Sequence, residues 1–242
     1  MRHFDSLYPE VAISGFSPID HRIVFFTLVN SLLSPTDRVV DFGAGRGRWT
    51  ETETGYRAEL TNLKGRCAEV IGVDVDPAVL SNPSVDKALV IGEDGSIPLA
   101  DESVDLIVSW AVFEHVRDPV AVAAELDRLL KPGGWICGWT PNKWGYIGVG
   151  ARLVPNGVHA GWLKRLGVRR QEKDVFPVCY RMNTRRAIGE LFPHYMNNTF
   201  VHTGRPSYHG GHEALARLIR LYGKLAPTGM GQALHVFLQK PV

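Results

Sequence analysis

Cysteine is scarce. Cys67, Cys137 and Cys179 stand far apart and form no Cys-x-x-Cys pair, which argues against a zinc site or a disulfide framework and suits a reducing compartment. No metal is expected. No apolar run is long enough to span a bilayer. The opening residues, MRHFDSLYPE, lack the apolar centre of a signal peptide. The expected location is the cytoplasm, with peripheral membrane contact as the open alternative. Internal repeats and low-complexity tracts are missing too. The dinucleotide fingerprint Gly-x-Gly-x-x-Gly is also absent: counted from Gly43 the third glycine falls on Arg48, and counted from Gly45 it falls on Thr50.

Charge is unevenly spread. Residues 1–142 carry 12 Lys+Arg against 21 Asp+Glu, whereas residues 143–242 carry 15 against 4, and six of the nine histidines. The two parts are suited to different partners.

Apolar strands alternate with helices from residue 38 onward, the pattern of a parallel sheet covered on both faces. RVVDFG, EVIGVDVD, KALVIG, VDLIVSW and WICGWT read as strands; TFVHTG and ALHVFLQKP read as two more. Residues 18–34 read as an amphipathic helix with Ser17 as N-cap and Pro18 in the first turn. RGRWTETETGYRAELTNLKG reads as helix with an irregular tail. PVAVAAELDRLLKPGG reads as a helix ended by Pro132 and Gly133. Asp76 and Thr184 are expected to cap the helical turns that follow them. One domain is expected over 1–242: a cofactor-binding core at 18–142, a lid or acceptor-binding insertion at 143–183, and C-terminal strands and helix at 184–242.

The segment VVDFGAGRGRWT, residues 39–50, puts Asp41 just before Gly43, Gly45 and Gly47. Such a loop at the C-terminal end of a first strand lets backbone approach a ligand closely. A carboxylate there repels a pyrophosphate but attracts the ammonium and sulfonium of S-adenosylmethionine. Asp74, at the end of the second strand, is placed to accept from ribose hydroxyls. After the third strand, Glu93 or Asp94 is placed to accept from an adenine amino group.

Taken together, VVDFGAGRG, GVDVDP, GEDGSIPLADESVDLIVS, EHVRDP and LLKPGGW resemble the class I S-adenosylmethionine-dependent methyltransferases. They are most similar to the small-molecule branch around the ubiquinone-biosynthesis type. The resemblance covers about residues 35–142. It implies a Rossmann-like, doubly wound α/β sheet of seven strands with an antiparallel last strand, and S-adenosyl-L-methionine as cofactor. The cofactor contacts it implies, read with the residues themselves, are Asp41, Phe42, Gly43, Ala44, Gly45, Gly47, Asp74, Val75, Glu93, Asp94, Gly95, Ser109 and Trp110. The family usually has Asp where Glu93 stands, so the adenine contact stays open between Glu93 and Asp94. Trp110 is either a cation–π partner of the sulfonium or a core residue. His115 reads as structural, and Arg46 and Arg48 as contacts to the methionine carboxylate or as solvated surface.

Methyl transfer to a hydroxyl needs a group that removes its proton. The candidates are His159, Asp174, Tyr180, His209 and His212, and no spacing selects among them. Basic residues interleaved with aromatics across 143–186 suit a small anionic, lipid-linked or glycan-linked acceptor. Nucleic acid is disfavoured by the acidic first part, and the Asn/Asp-Pro-Pro-aromatic run of amino-methyltransferases acting on DNA or RNA is missing from SWAV. The competing expectation is a cofactor-binding subunit without turnover.

Overall fold

The computed structural model describes residues 7–153, 177–207, 209 and 212–242. Eight strands form one sheet: β1 (Arg38–Phe42), β2 (Glu69–Asp74), β3 (Lys87–Val90), β4 (Val104–Trp110), β5 (Leu130–Pro141), β6 (Met196–Asn197), β7 (Phe200–His202) and β8 (Ala233–Gln239). Their order is β3-β2-β1-β4-β5-β8-β6, with β7 also on β8. The first five run parallel, while β8 runs antiparallel to β5.

The expected count of seven is met in a particular sense. Met196 lies opposite Gln239 and Phe200 opposite His235, four residues apart on both strands. β6 and β7 are therefore one edge strand in one register, and between them Asn198 N–H still donates to Phe237 O at 2.8 Å.

The longer helices are α1 (His21–Leu32), α2 (Gly55–Thr61), α3 (Pro119–Leu129), α4 (Tyr146–Leu153), α5 (Arg185–Leu191) and α6 (Glu213–Leu225). Successive strand residues face opposite sides. Val39, Val70, Leu106, Val108, Cys137 and Phe237 meet Phe25, Phe26 and Val29 of α1 on one face. Val40, Ile71, Ile107, Ile136 and Val236 meet Leu126 of α3 and Ile188 of α5 on the other.

Three boundaries differ from expectation. α1 starts at His21, because the Asp20 carboxylate accepts from Arg22 N–H at 3.0 Å; the Ser17 hydroxyl instead donates to Glu10. The segment after the glycine loop breaks at Glu53–Thr54 into a turn at Trp49–Thr52 and then α2. α3 ends at Leu129, before Pro132, since Leu130 already pairs with Val104. Lys240 Nζ satisfies carbonyls there, donating to Asp127 O and Leu130 O at 2.8 and 3.0 Å, as favoured at a helix C-terminus. Asp76 and Thr184 do cap the turns that follow, accepting from Ala78 N–H and Ala187 N–H.

The two ends of the expected insertion meet, since Lys143 N–H donates to Asn183 O at 2.9 Å. Met182 and Asn183, at its expected end, are fully buried. Residues 154–176, most of the expected lid, lie outside the described residues, with His159 and Asp174 among them.

Candidate functional site

β1 and β4 are neighbours, but the chain order reverses between them, so a crevice opens at their C-terminal ends. The glycine loop fills its rim. Gly43, Gly45 and Gly47 have φ of 76°, 52° and 72°, a region that disfavours side chains. A Cβ on Gly43 would stand 2.3 Å from a Val112 methyl, and one on Gly47 2.3 Å from Asn82 Oδ1. Val112 reaches the loop because Ala111 turns the chain at φ +60°.

The loop is held from three sides. Gly43 and Ala44 N–H groups donate to Val73 O. Asn82 Nδ2 donates to Ala44 O and Gly45 O, at 3.2 and 3.1 Å. Asp74 Oδ2 accepts from Gly45 N–H at 2.8 Å, and its Oδ1 accepts from Asp76 N–H at 2.9 Å. A carboxylate oxygen can accept twice, so Asp74 keeps acceptor capacity for hydroxyls. Val75 beside it is 66 % exposed, an apolar surface open to a flat ring.

Glu93 and Asp94 differ in their commitments. Asp94 Oδ1 accepts from Ser96 N–H and Oγ, at 3.0 and 2.7 Å, which holds its carboxylate below the usual range. Glu93 is exposed. Gly95 completes this turn at φ 84°, with its N–H on Gly92 O. Phe42 is buried beneath the loop, and Ser109 Oγ donates to its carbonyl at 3.1 Å.

Below the loop lies a groove of about 320 Å³, lined by Arg22, Phe26, Asp41, Gly43, Arg48, Trp49 and Trp110 among others. Asp41 is half-buried and lines this groove. Its pKa is pushed up to about 7, chiefly by loss of water, then by the neighbouring Asp74 charge; Arg22 opposes both. Trp110 is stacked on Trp139, centroids 4.5 Å apart, and Arg22 lies 4.5 Å from its ring centre. The cation seen on this indole is thus an arginine of α1. Arg22 and Asn82 were not among the expected site residues. Both act across the fold, and no local spacing marks them.

Of the candidate bases, Tyr180, His209 and His212 lie among the described residues. Tyr180 N–H donates to Glu114 O near the end of β4, at φ 51°. His209 and His212 precede α6, and burial and Arg205 hold the His209 pKa down. Beside Tyr180 is a buried polar chain: Asn183 Nδ2 donates to Thr140 Oγ1 at 2.6 Å, and Thr140 Oγ1 donates to Glu114 Oε2 at 2.9 Å. Among the described residues no cluster suits a metal ion, and no helix is long and apolar enough to cross a membrane.

Comparison with known proteins agrees with this architecture. Residues 40–138 match the family model described as "Methyltransferase domain". The chain is 33 % identical over 132 residues to the ubiquinone biosynthesis O-methyltransferase of Thiobacillus denitrificans, covering 50 % of this chain and 55 % of that one. It is 38 % identical over 96 residues to malonyl-[acyl-carrier protein] O-methyltransferase 1 of Coxiella burnetii, covering 40 % of this chain and 30 % of the relative. The chain thus spans between about a third and just over half of the curated relatives it matches. The solved SAM-dependent methyltransferase of Aquifex aeolicus superposes with a TM-score of 0.51 at 16 % identity, over 91 % of this chain and 90 % of its own, a likeness of fold. With its glycine loop, its strand order and residues 40–138 matched, the chain carries a methyltransferase domain on the fold of the S-adenosylmethionine-dependent methyltransferases.

Proposed function

We propose that this chain transfers a methyl group from S-adenosylmethionine to an oxygen of a small acceptor that is anionic or carried on a lipid or glycan. The observation that carries the reading is Asp41: a carboxylate held at the floor of the groove, beside a glycine loop, suits a cationic ligand end and disfavours a phosphate. The residues present fit the cofactor. Asp41 would hold its ammonium, Asp74 its ribose hydroxyls, Val75 its adenine ring and Glu93 the adenine amino group. Asp94 supports the turn instead.

When bound, the cofactor supplies a methyl carbon already activated by its sulfonium. The protein's part is to hold an acceptor in line with it and to exclude water, which can account for most of the barrier lowering. Deprotonation of the acceptor is assigned to a residue of the insertion or of the 202–212 loop. O-transfer agrees with the printed names of the two relatives above, both O-methyltransferases.

The test is binding followed by turnover. S-adenosylhomocysteine should raise the melting temperature by mass action, with no comparable rise from NAD or NADP. Labelled donor with cell extracts, split into soluble and lipid fractions, should yield labelled product. Binding without product in any fraction would instead support a non-catalytic subunit.

A further inference from the structure

A second cavity, of about 220 Å³, lies above β7 and β8, between α6, the start of α4 and the N-terminal segment. It is distinct from the cofactor groove, and its chemistry is the opposite. Arg220 and Lys224 line it, and no Asp or Glu is among its lining residues. Among the described residues no ion pair involves either cation. Arg205 and Arg220 both sit over the Tyr8 ring, at 5.3 and 5.2 Å from its centre. Two like charges gathered on one ring leave a positive potential at the mouth. Glu10 feels both arginines, and its carboxylate is held by the Ser17 hydroxyl.

The walls are aromatic. Tyr146 and Tyr222 meet edge to face, 6.2 Å apart. The deep end is polar. Gln232 is 4 % exposed; its Nε2 donates to Ser207 Oγ at 2.7 Å, but its Oε1 has no hydrogen bond. Nearby, His21 packs on Gly204, where a Cβ would stand 2.6 Å from His21 Nε2. That nitrogen makes no well-formed bond either, yet the Gln232 amide is close enough to raise the His21 pKa as a hydrogen-bond partner, so the two groups face each other loosely. Buried polar atoms so weakly paired are held below their bonding capacity, and a ligand hydroxyl placed between them would complete it. His21 is followed directly by Arg22, which lines the cofactor groove. His21 also meets Trp139 edge to face at 5.6 Å, and Trp139 stacks on Trp110 of the first groove, so these rings connect the polar end of the second cavity to the first.

We infer that this cavity is the acceptor subsite, taking a single-ring molecule with its oxyanion toward Arg220 and Lys224 and its hydroxyl toward Gln232 and His21. The inference rests on the methyltransferase reading and adds the orientation of the acceptor to it. The oxyanion is a phosphate or a carboxylate, since both suit an arginine–lysine pair.

Phenyl phosphate and benzoate serve as probes, each alone and with a 4-hydroxyl, read by melting temperature and by calorimetry. At least one of the two anions should bind, and the 4-hydroxyl should strengthen it about tenfold. Phenol, which lacks the anion, should bind at least tenfold more weakly. Arg220→Gln and Lys224→Gln should each weaken the anion at least fivefold. Gln232→Met should remove the hydroxyl's increment while leaving the anion's affinity unchanged. Lys224 is exposed, so its variant keeps the test open if Arg220→Gln is poorly folded. All variants should bind S-adenosylhomocysteine as the parent does. Failure of both anions, or equal binding in Lys224→Gln and parent, overturns the subsite while the cofactor response still stands. Loss of the S-adenosylhomocysteine response in the parent overturns the underlying reading instead.

Discussion

Asp41→Asn separates the two roles a deep carboxylate plays, one in stability and one in binding. With its pKa near 7 in the folded chain and 3.8 as the ordinary value, Asp41 holds a proton in the native state that it has lost in the unfolded one. Between those two values the native state binds more protons, so raising the pH destabilises the fold, by about 1.4 kcal/mol per unit. Over the whole window the cost reaches about 4 kcal/mol. Asn carries no such charge. The stability difference, variant minus parent, should therefore grow from pH 4 to pH 7 and then level off; other titrating groups cancel in the comparison. A cationic ligand reverses the sign for binding. If it lies against Asp41, it favours the ionised form, and binding near pH 6 should release close to one proton. S-adenosylhomocysteine affinity should then climb up to tenfold per unit from about pH 5 to 7. Calorimetry in buffers of different ionisation heat counts the proton. A count near zero at pH 6, or the same count in Asp41→Asn, would refute the placement of the cofactor's cation beside Asp41.

Asp74→Ala removes an acceptor shared by Gly45 and Asp76 N–H groups and should weaken S-adenosylhomocysteine at least tenfold by calorimetry; Asp76→Ala removes only the cap on Ala78 and should cost about 0.5–2 kcal/mol of stability with little change in affinity. Gly43→Ala meets both an unfavourable φ and the Val112 methyls, so its loss of cofactor affinity should be partly restored by adding Val112→Ala. The His21 and His235 pKa values are held at about 4 and about 2 by burial. The unfolded chain gains their protons below about pH 6.5, so stability should fall on acidification; His235→Leu should lose about 2–3 kcal/mol less between pH 6.5 and 4.5 in urea titrations.

The strands were legible because each is a short apolar run bounded by polar turns, and the site followed from where they end. Asp41, the glycines and Asp74 all stand at or just after strand termini, which is why a linear reading can propose them. The start of α1 was misplaced because Ser17, Pro18 and Asp20 all carry helix-start chemistry, and only the Ser17–Glu10 contact removes the first. Asn82 holds the glycine loop from 35 or more residues away, and asparagine in a polar turn looks the same whether or not it does so. What distinguishes Asp94 from Glu93 is one local interaction, its acceptance from Ser96, which an Asp-Gly-Ser turn permits without demanding. Trp110 was left open between a ligand's cation and the core; it packs against the core with Arg22 over its ring, from a helix whose packing the sequence does not disclose.

α1 serves both cavities, and two kinds of force fix it. Phe25 and Val29 are fully buried against the sheet, and a core Phe truncated to Ala typically costs about 3–5 kcal/mol. The ion pairs around its start are weaker in comparison. Arg22 reaches Glu53 at 3.6 Å, Glu53 meets Arg57 at 2.8 Å, and Arg57 returns to Asp20 at 3.1 Å. Such partly exposed pairs contribute roughly 0–1 kcal/mol each. They cannot be what holds the helix down. What they do is orient: the chain of four charges fixes the Arg22 guanidinium over Trp110 and near Asp41. Apolar burial thus sets whether α1 docks, and the ion pairs set where its first turn points. His21 and Arg22, adjacent in that turn, are consequently placed by the same contacts: Arg22 lines the groove under the glycine loop, and His21 packs on Gly204 of the second cavity. A shift of the first turn would move both together, which ties the geometry of the second cavity to that of the groove.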